Sequence, residues 1–214
     1  MTAAKKARAM EIYRALLARY PDAHCELNYS NPHELLVATI LSAQSTDVGV
    51  NKATPALFKA FVTPADFARA EPADIEPYIR TIGLYRNTAK SIVSAMRTIV
   101  NDFGGQVPDT MDDLLTLRGV ARKTANVVLG NAFHKNEGVV VDTHVDRLSK
   151  RLGLVPQDAT VPMVERYLMA TFPRETWCML SHLLIFHGRR ACKARGGLCA
   201  TDAICRKWCT NSKG

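Results

Sequence analysis

The residue in this chain best suited to covalent chemistry is a lysine just after a glycine turn, in Leu117-Arg118-Gly119-Val120-Ala121-Arg122-Lys123. Glycine lets a backbone come close to a ligand, and the first amides of the helix that follows have no intrahelical partners. Together with the helix dipole, such amides favour an anion, for example a phosphate. On a helical wheel Thr124, Val127, Val128 and Asn131 form the packed stripe. Lys123 falls on the flank of that stripe and Arg122 on the opposite side. Partial cover there disfavours the charged amine, and a neutral amine is a nucleophile able to form a Schiff base at a sugar C1′. Nineteen residues on, the apolar run Val139-Val140-Val141 ends in Asp142, followed by Thr143 and His144. Asp142 reads equally as a helix N-cap or as a carboxylate that steadies a cationic transition state and moves protons.

A second chemical cluster lies near the C-terminus. Of six cysteines, Cys192, Cys199, Cys205 and Cys209 fall within eighteen residues, while Cys25 and Cys178 stand apart as small apolar groups. The N-terminus mixes charge through its apolar residues and so lacks the apolar core of a secretory signal. Without such a signal, clustered thiols are metal ligands rather than disulfides. Four thiolates suit a [4Fe–4S] cluster or tetrahedral zinc, and the absence of a C-x2-C knuckle leans away from zinc.

These groups sit on a basic chain. The net charge is +8, and residues 189–213 carry seven Lys or Arg against one Asp. The first nineteen residues carry five against one Glu, so the excess lies at the two ends. Such surfaces attract phosphate backbones. An apolar share of 47% over 214 residues, with 22% charged, excludes a disordered or fibrous chain. No stretch is long and apolar enough to span a membrane, and a cytoplasmic protein, nucleoid-associated if bacterial, is expected.

The elements that must position the chemistry are helical. Met10, Tyr13, Leu16, Leu17 and Tyr20 keep helical spacing up to Pro21, and Glu34–Leu41 is apolar on nearly every side. Asp47 is a candidate cap for the next helix, and Pro55 and Pro64 mark expected breaks. Further helices are expected at 74–80, 86–99, 111–117, 121–132, 142–152, 161–171 and 175–187. Val139–Val141 is the one strand candidate and is too short to build a sheet. The chain is therefore read as all-α. Placing Gly83 over Gly119 also aligns Arg86 with Arg122, Thr88 with Thr124 and Ala89 with Ala125. In that internal repeat Asn87 stands where the second copy has Lys123.

The segments LRGVARKTANVVL and VVVDTHVDRLSKRLGL resemble the endonuclease III family of helix-hairpin-helix DNA glycosylases. ELNYSNPHELLVATILSAQSTDVGVNKAT, YIRTIGLYRNTAKSI and HLLIFHGRRAC extend the resemblance over nearly the whole chain. It implies two helical domains, 25–135 with the helix-hairpin-helix and 1–24 plus 136–214 with a C-terminal iron–sulfur loop. It further implies excision of oxidised pyrimidines from duplex DNA and cleavage of the abasic site by β-elimination, by a monomer. Lys123 then matches the Schiff-base lysine and Asp142 the catalytic aspartate. Gln44 matches the residue that fills the gap left by a flipped nucleotide, and Leu84 the apolar wedge beside it. Gly119, Val120 and Ala121 would supply phosphate-binding amides, with Arg122 and His144 also at the DNA.

Two departures from the family pattern matter. The hairpin usually reads Leu-Pro-Gly-Val-Gly, whereas this chain has Arg118 and Ala121, and the added Cβ is expected to stiffen the turn. The cysteine spacing is C-x6-C-x5-C-x3-C rather than C-x6-C-x2-C-x5-C, leaving Asp202 and Trp208 where the third and fourth ligands are expected. Cys205 and Cys209 then replace them through a reshaped loop. The alternatives are an abasic-site lyase with weak glycosylase activity, an adenine-mismatch glycosylase of the same fold, and a non-catalytic DNA-binding module.

Overall fold

The computed structural model describes residues 2–210, so Lys213 of the basic run lies outside the described residues. They form twelve α-helices, one 3-10 turn and no strand. Val139–Val141 is buried without regular secondary structure, and the Val140 amide donates to Ser181 Oγ at 3.0 Å. The chain divides into two compact units. Cys25–Lys135 forms one, and the described residues up to His24 together with those from Asn136 onward form the other.

Helix α1 (Ala3–Arg19) starts where Thr2 accepts the Lys5 amide, and it buries Ala9, Ile12 and Leu16 on one stripe. The Tyr20 amide closes it on the Leu16 carbonyl. The central unit runs from α2 (Pro32–Ser42) through α3 (Asp47–Ala60), α4 (Pro64–Arg69), α5 (Pro72–Ile79), α6 (Tyr85–Asp102) and α7 (Met111–Thr116) to α8 (Arg122–Ala132). Every residue of α2 from Leu35 to Leu41 is buried, so this helix is the axis of its bundle, as its unbroken apolar run requires. Asn31 and Pro32 start it, an N-cap followed by a residue with no amide to satisfy.

Two readings of this region are corrected. Thr46, not Asp47, caps α3, its hydroxyl accepting the Gly49 amide at 3.2 Å, while Asp47 is the first helical residue. Pro55 lies inside α3 and does not break it. It removes one amide from the ladder, but the buried Val50, Ala53, Thr54 and Leu57 hold the helix on both sides. Pro64 does mark a boundary, at the start of α4 under a Thr63–Asp66 capping box. Helix α4, which periodicity did not reveal, is too short to show a period.

The remaining unit adds α9 (Thr143–Arg151), α10 (Val161–Thr171), the 3-10 turn Arg174–Thr176, α11 (Trp177–Arg190) and α12 (Ala203–Trp208). Its core gathers Ile12 and Leu16 of α1 with Val145 and Leu148 of α9 and Leu180, Leu183 and Leu184 of α11. The N-terminal helix thus completes a core made otherwise from the C-terminal third. Each fully buried leucine contributes about 1.5–3 kcal/mol relative to exposure.

Within α11, burial pushes His182 down from 6.5 to about 4, with repulsion from His24 adding to it. The unfolded chain takes up that proton near pH 6.5, whereas the folded chain resists until about pH 4. Stability is therefore complete above about pH 6.5 and falls as pH drops toward 4, by on the order of 3 kcal/mol. His182→Gln should flatten the pH dependence of the unfolding free energy across this window. An unchanged slope in denaturant titrations would assign it to another group.

Candidate functional site

In the central unit the site begins at Gly119. Its φ of +85° lies in the left-handed region, and a Cβ there would sit 2.9 Å from Ser91 Cβ. Both conformation and space therefore demand glycine at the α7–α8 corner. The Val120 amide donates to the Leu117 carbonyl at 3.1 Å and its side chain is buried. This corrects one expectation: Val120 closes the turn and does not offer its amide to a phosphate. Ala121 is the N-cap of α8 at φ −101°, and it has no side-chain oxygen to bond the first amides. That φ is ordinary for any residue, so alanine here carries no backbone strain.

Arg118, Ala121, Arg122 and Lys123 are all exposed. The half-covered lysine expected from the wheel is thus corrected. As the second residue of α8, Lys123 projects from the helix end before the packed face of Thr124, Ala125, Asn126, Val128 and Leu129 begins. The internal repeat is structural as well. Thr88 and Ala89 are buried near the start of α6, as Thr124 and Ala125 are near the start of α8.

Leu84, at the corresponding corner before α6, is 64% exposed and has φ +53°. A left-handed conformation costs a non-glycine residue about 1–2 kcal/mol, and it is combined here with an apolar side chain left in water. The strain is held by Thr88, whose amide and hydroxyl both bond the Leu84 carbonyl. Gly83 packs against the end of α2, where a Cβ would meet the Gln44 carbonyl at 2.9 Å. Gln44 itself is exposed just beyond α2, its amide on the Leu41 carbonyl. Gln44 and Leu84 therefore project from one place.

In the other unit Asp142 caps α9, and Oδ1 accepts the amides of His144 and Val145, both at 2.8 Å. The cap reading is right, yet it uses one oxygen, and Oδ2 has no hydrogen-bond partner among the described residues. His144 is half-buried, and burial pulls its pKa down against the opposing pull of Asp142. Arg147 Nη2 contacts His144 Nδ1 at 3.1 Å and donates to the carbonyls of Gly188 and Cys192 at 3.2 and 3.1 Å. One turn on, Arg151 Nη1 donates to Cys192 Sγ at 3.4 Å and to the Lys193 carbonyl at 2.8 Å. Helix α9 thus carries the aspartate at one end and grips the cysteine loop at the other. The 3–4-residue spacing of His144, Arg147 and Arg151 was readable, but their partners are some forty residues away.

The four clustered cysteines converge. Cys192, Cys205 and Cys209 are fully buried and Cys199 is half-buried. Sulfurs of Cys192, Cys199 and Cys209 lie within 4.8 Å of one another, and Cys205 is hydrogen-bonded to Cys199. The reshaped loop is explained by α12. Asp202 Oδ1 accepts the amides of Ile204 and Cys205, each at 3.0 Å, and so caps a single helical turn. That turn places Cys205 and Cys209 four residues apart, the Cys209 amide on the Cys205 carbonyl at 2.8 Å. Burial first, then the neighbouring Cys192, pushes the Cys205 thiol far above its usual range. Four packed thiols cannot ionise together without a cation, so donor type, burial and the two arginines fit a thiolate-bound metal cluster.

Residues 37–174 match the HhH-GPD superfamily base excision DNA repair protein model. Endonuclease III of Synechocystis is 52% identical over 198 residues, covering 92% of this chain and 90% of that relative. Endonuclease III of Escherichia coli K12 is 41% identical over 203 residues, covering 94% and 95%. A trapped endonuclease III–DNA covalent intermediate has a TM-score of 0.92 at 42% identity, over all of this chain and 98% of that one.

Gly119→Ala should cost roughly 1–3 kcal/mol in unfolding free energy from backbone strain, with a further loss from the Ser91 contact. Adding Ser91→Gly should recover the contact part alone in denaturant titrations. Full recovery would show that φ at this corner carries no strain.

Shared sequence, matched family model and matched fold agree, and the chain belongs to the endonuclease III family of the HhH-GPD base excision DNA repair proteins.

Proposed function

We propose that this chain removes oxidised pyrimidines from duplex DNA and cleaves the resulting abasic site, with Lys123 and Asp142 acting on one everted nucleotide. The enzyme class, a base excision repair DNA glycosylase and lyase, follows from family membership. The observation that carries the proposed residue roles is Leu84, an exposed leucine held in a left-handed conformation beside Gln44. Evicting a base leaves a hole in the stack, and filling it offsets an unstacking cost of about a few kcal/mol. A side chain already strained and exposed gives up little on entering that hole.

Lys123 Nζ attacks C1′, and the bond to the base breaks with its electron pair leaving on the base, which takes up a proton. The C1′–O4′ bond of the covalent adduct then breaks, O4′ taking up a proton, to give a Schiff base at C1′, which loses a proton from C2′ and expels the 3′ phosphate. Lys123 is exposed, so its amine is open to an everted nucleotide. Asp142, oriented by its cap through Oδ1, keeps Oδ2 for the positive charge that develops on the sugar and for the proton that the amine sheds. The uncapped start of α8, with Arg122 beside it, receives a DNA phosphate, and His144 lies at the same DNA.

Cys192, Cys199, Cys205 and Cys209 are proposed to hold a [4Fe–4S] cluster, with zinc the less favoured occupant. When bound, it supplies metal–thiolate cross-links that brace the loop carrying the exposed Lys193, Arg195, Arg206 and Lys207 against phosphate. The protein is proposed to act as a monomer on DNA in the cytoplasm; none of the described helices is long and apolar enough to cross a membrane.

Borohydride should trap the protein on duplex DNA containing thymine glycol, and Lys123→Ala should abolish the trapped species. Asp142→Asn should slow base release by about 10²–10⁴-fold. Trapping that persists without Lys123 would remove it from the central role. Binding without base release would favour a non-catalytic module, and cleavage of abasic sites alone would favour a lyase. The purified protein should show a broad visible absorption band with iron and acid-labile sulfide, whereas zinc would leave it colourless.

A further inference from the structure

Cys205 stands away from the position where the family pattern puts its third ligand, and it reaches the cluster through α12. Facing it is His187 of α11, fully buried, with Nε2 3.4 Å from Cys205 Sγ. On the other side of the ring, Nδ1 lies 3.0 Å from the hydroxyl of Tyr20, which is itself 5% exposed. The two rings stand 5.8 Å apart, centroid to centroid. Asp202 Oδ1, at 3.9 Å from Nε2, is too distant to compete for a hydrogen bond and is already taken by two amides.

Resting on the reading of the four thiols as cluster ligands, we propose that His187 is a positioning residue for Cys205, donating Nε2–H to the ligand sulfur in a tautomer fixed by Tyr20. A metal-bound thiolate carries no proton and can only accept, so Nε2 must bear the hydrogen. In the neutral ring Nδ1 is then an acceptor, and the Tyr20 hydroxyl donates to it. Tyr20 closes α1 and His187 lies in the last turn of α11, so the bond fastens both helices to one of the two ligands that enter by the altered spacing. A hydrogen bond to a ligand sulfur disperses its negative charge and favours the more reduced cluster.

The test measures the cluster's reduction potential in purified holoprotein, alongside iron and sulfide content and circular dichroism. His187→Leu keeps bulk but removes the donor, whereas His187→Gln keeps an N–H at the position of Nε2. Tyr20→Phe removes only the hydroxyl that fixes the tautomer. The leucine variant should move the potential negative by about tenfold in the redox equilibrium, equivalent to about 59 mV for one electron. The phenylalanine variant should shift it the same way by less, and the glutamine variant should stay close to the wild type. Loaded, folded variants whose potentials all equal the wild-type value would overturn the proposal. If the leucine variant does not fold, an unshifted Tyr20→Phe potential is enough to overturn it. A wild-type protein without iron and sulfide would sink the cluster reading and this inference with it, a result easily told apart from unmoved potentials.

Discussion

Two backbone amides at the start of α9, those of His144 and Val145, converge on a single oxygen of Asp142. That cap fixes the direction of the carboxylate and leaves the second oxygen for the proposed chemistry. A carboxylate tied this way keeps its orientation without needing another side chain to hold it. The helix it starts then passes His144, Arg147 and Arg151 toward the cysteine loop, where the two arginines bond Cys192. Loosening the loop would thus be felt along a rigid element that ends at the aspartate. The metal-ligand region and the proposed chemical centre are joined by one nine-residue helix.

Elsewhere the fold accepts local cost at the positions proposed to meet DNA. Leu84 combines a left-handed backbone with exposed apolar surface, and Gly119 holds a corner that no Cβ could enter. Close packing on Ser91 of α6 accounts for Gly119, but nothing in the core of α2, α6 and α8 side chains accounts for Leu84. Strain that packing does not explain is the usual mark of a functional position. The start of α8 also has no side-chain cap, whereas Thr caps begin α3, α4 and α7. A side-chain oxygen at position 121 would occupy amides that the proposed phosphate contact requires.

The long helices were legible because their apolar residues repeat at the helical period, and α6, α8, α10 and most of α11 fall close to their expected spans. Among the six-residue helices α7 is legible at 111–117, whereas α4 and α12 are not, being too short for a repeat to single them out. The Asp202 cap was a usable signal for α12, but with Asp202 standing where a cysteine is expected it drew attention to a missing ligand instead. Asp142 reads in the sequence either as an N-cap or as a reacting carboxylate; the structure shows the cap, which uses Oδ1 and leaves Oδ2 for the proposed role. Lys123 was placed on the right helix with the wrong cover, because a wheel describes an endless helix and position 123 is at an end.

Residue chemistry and neighbours within a few positions were determined by the sequence alone: the glycine corner, the lysine after it, the capping aspartate, the four thiols and the basic ends. Each depends on local backbone geometry or on side-chain type, which the order of residues specifies directly. Only the tertiary structure decided that Leu84 is exposed and left-handed, that Gln44 stands beside it, and that Cys205 meets His187 and, through it, Tyr20. Tyr20 and His187 are 167 positions apart. No periodicity or spacing reaches that far, because such a meeting is set by how whole helices pack and not by any local preference of the chain.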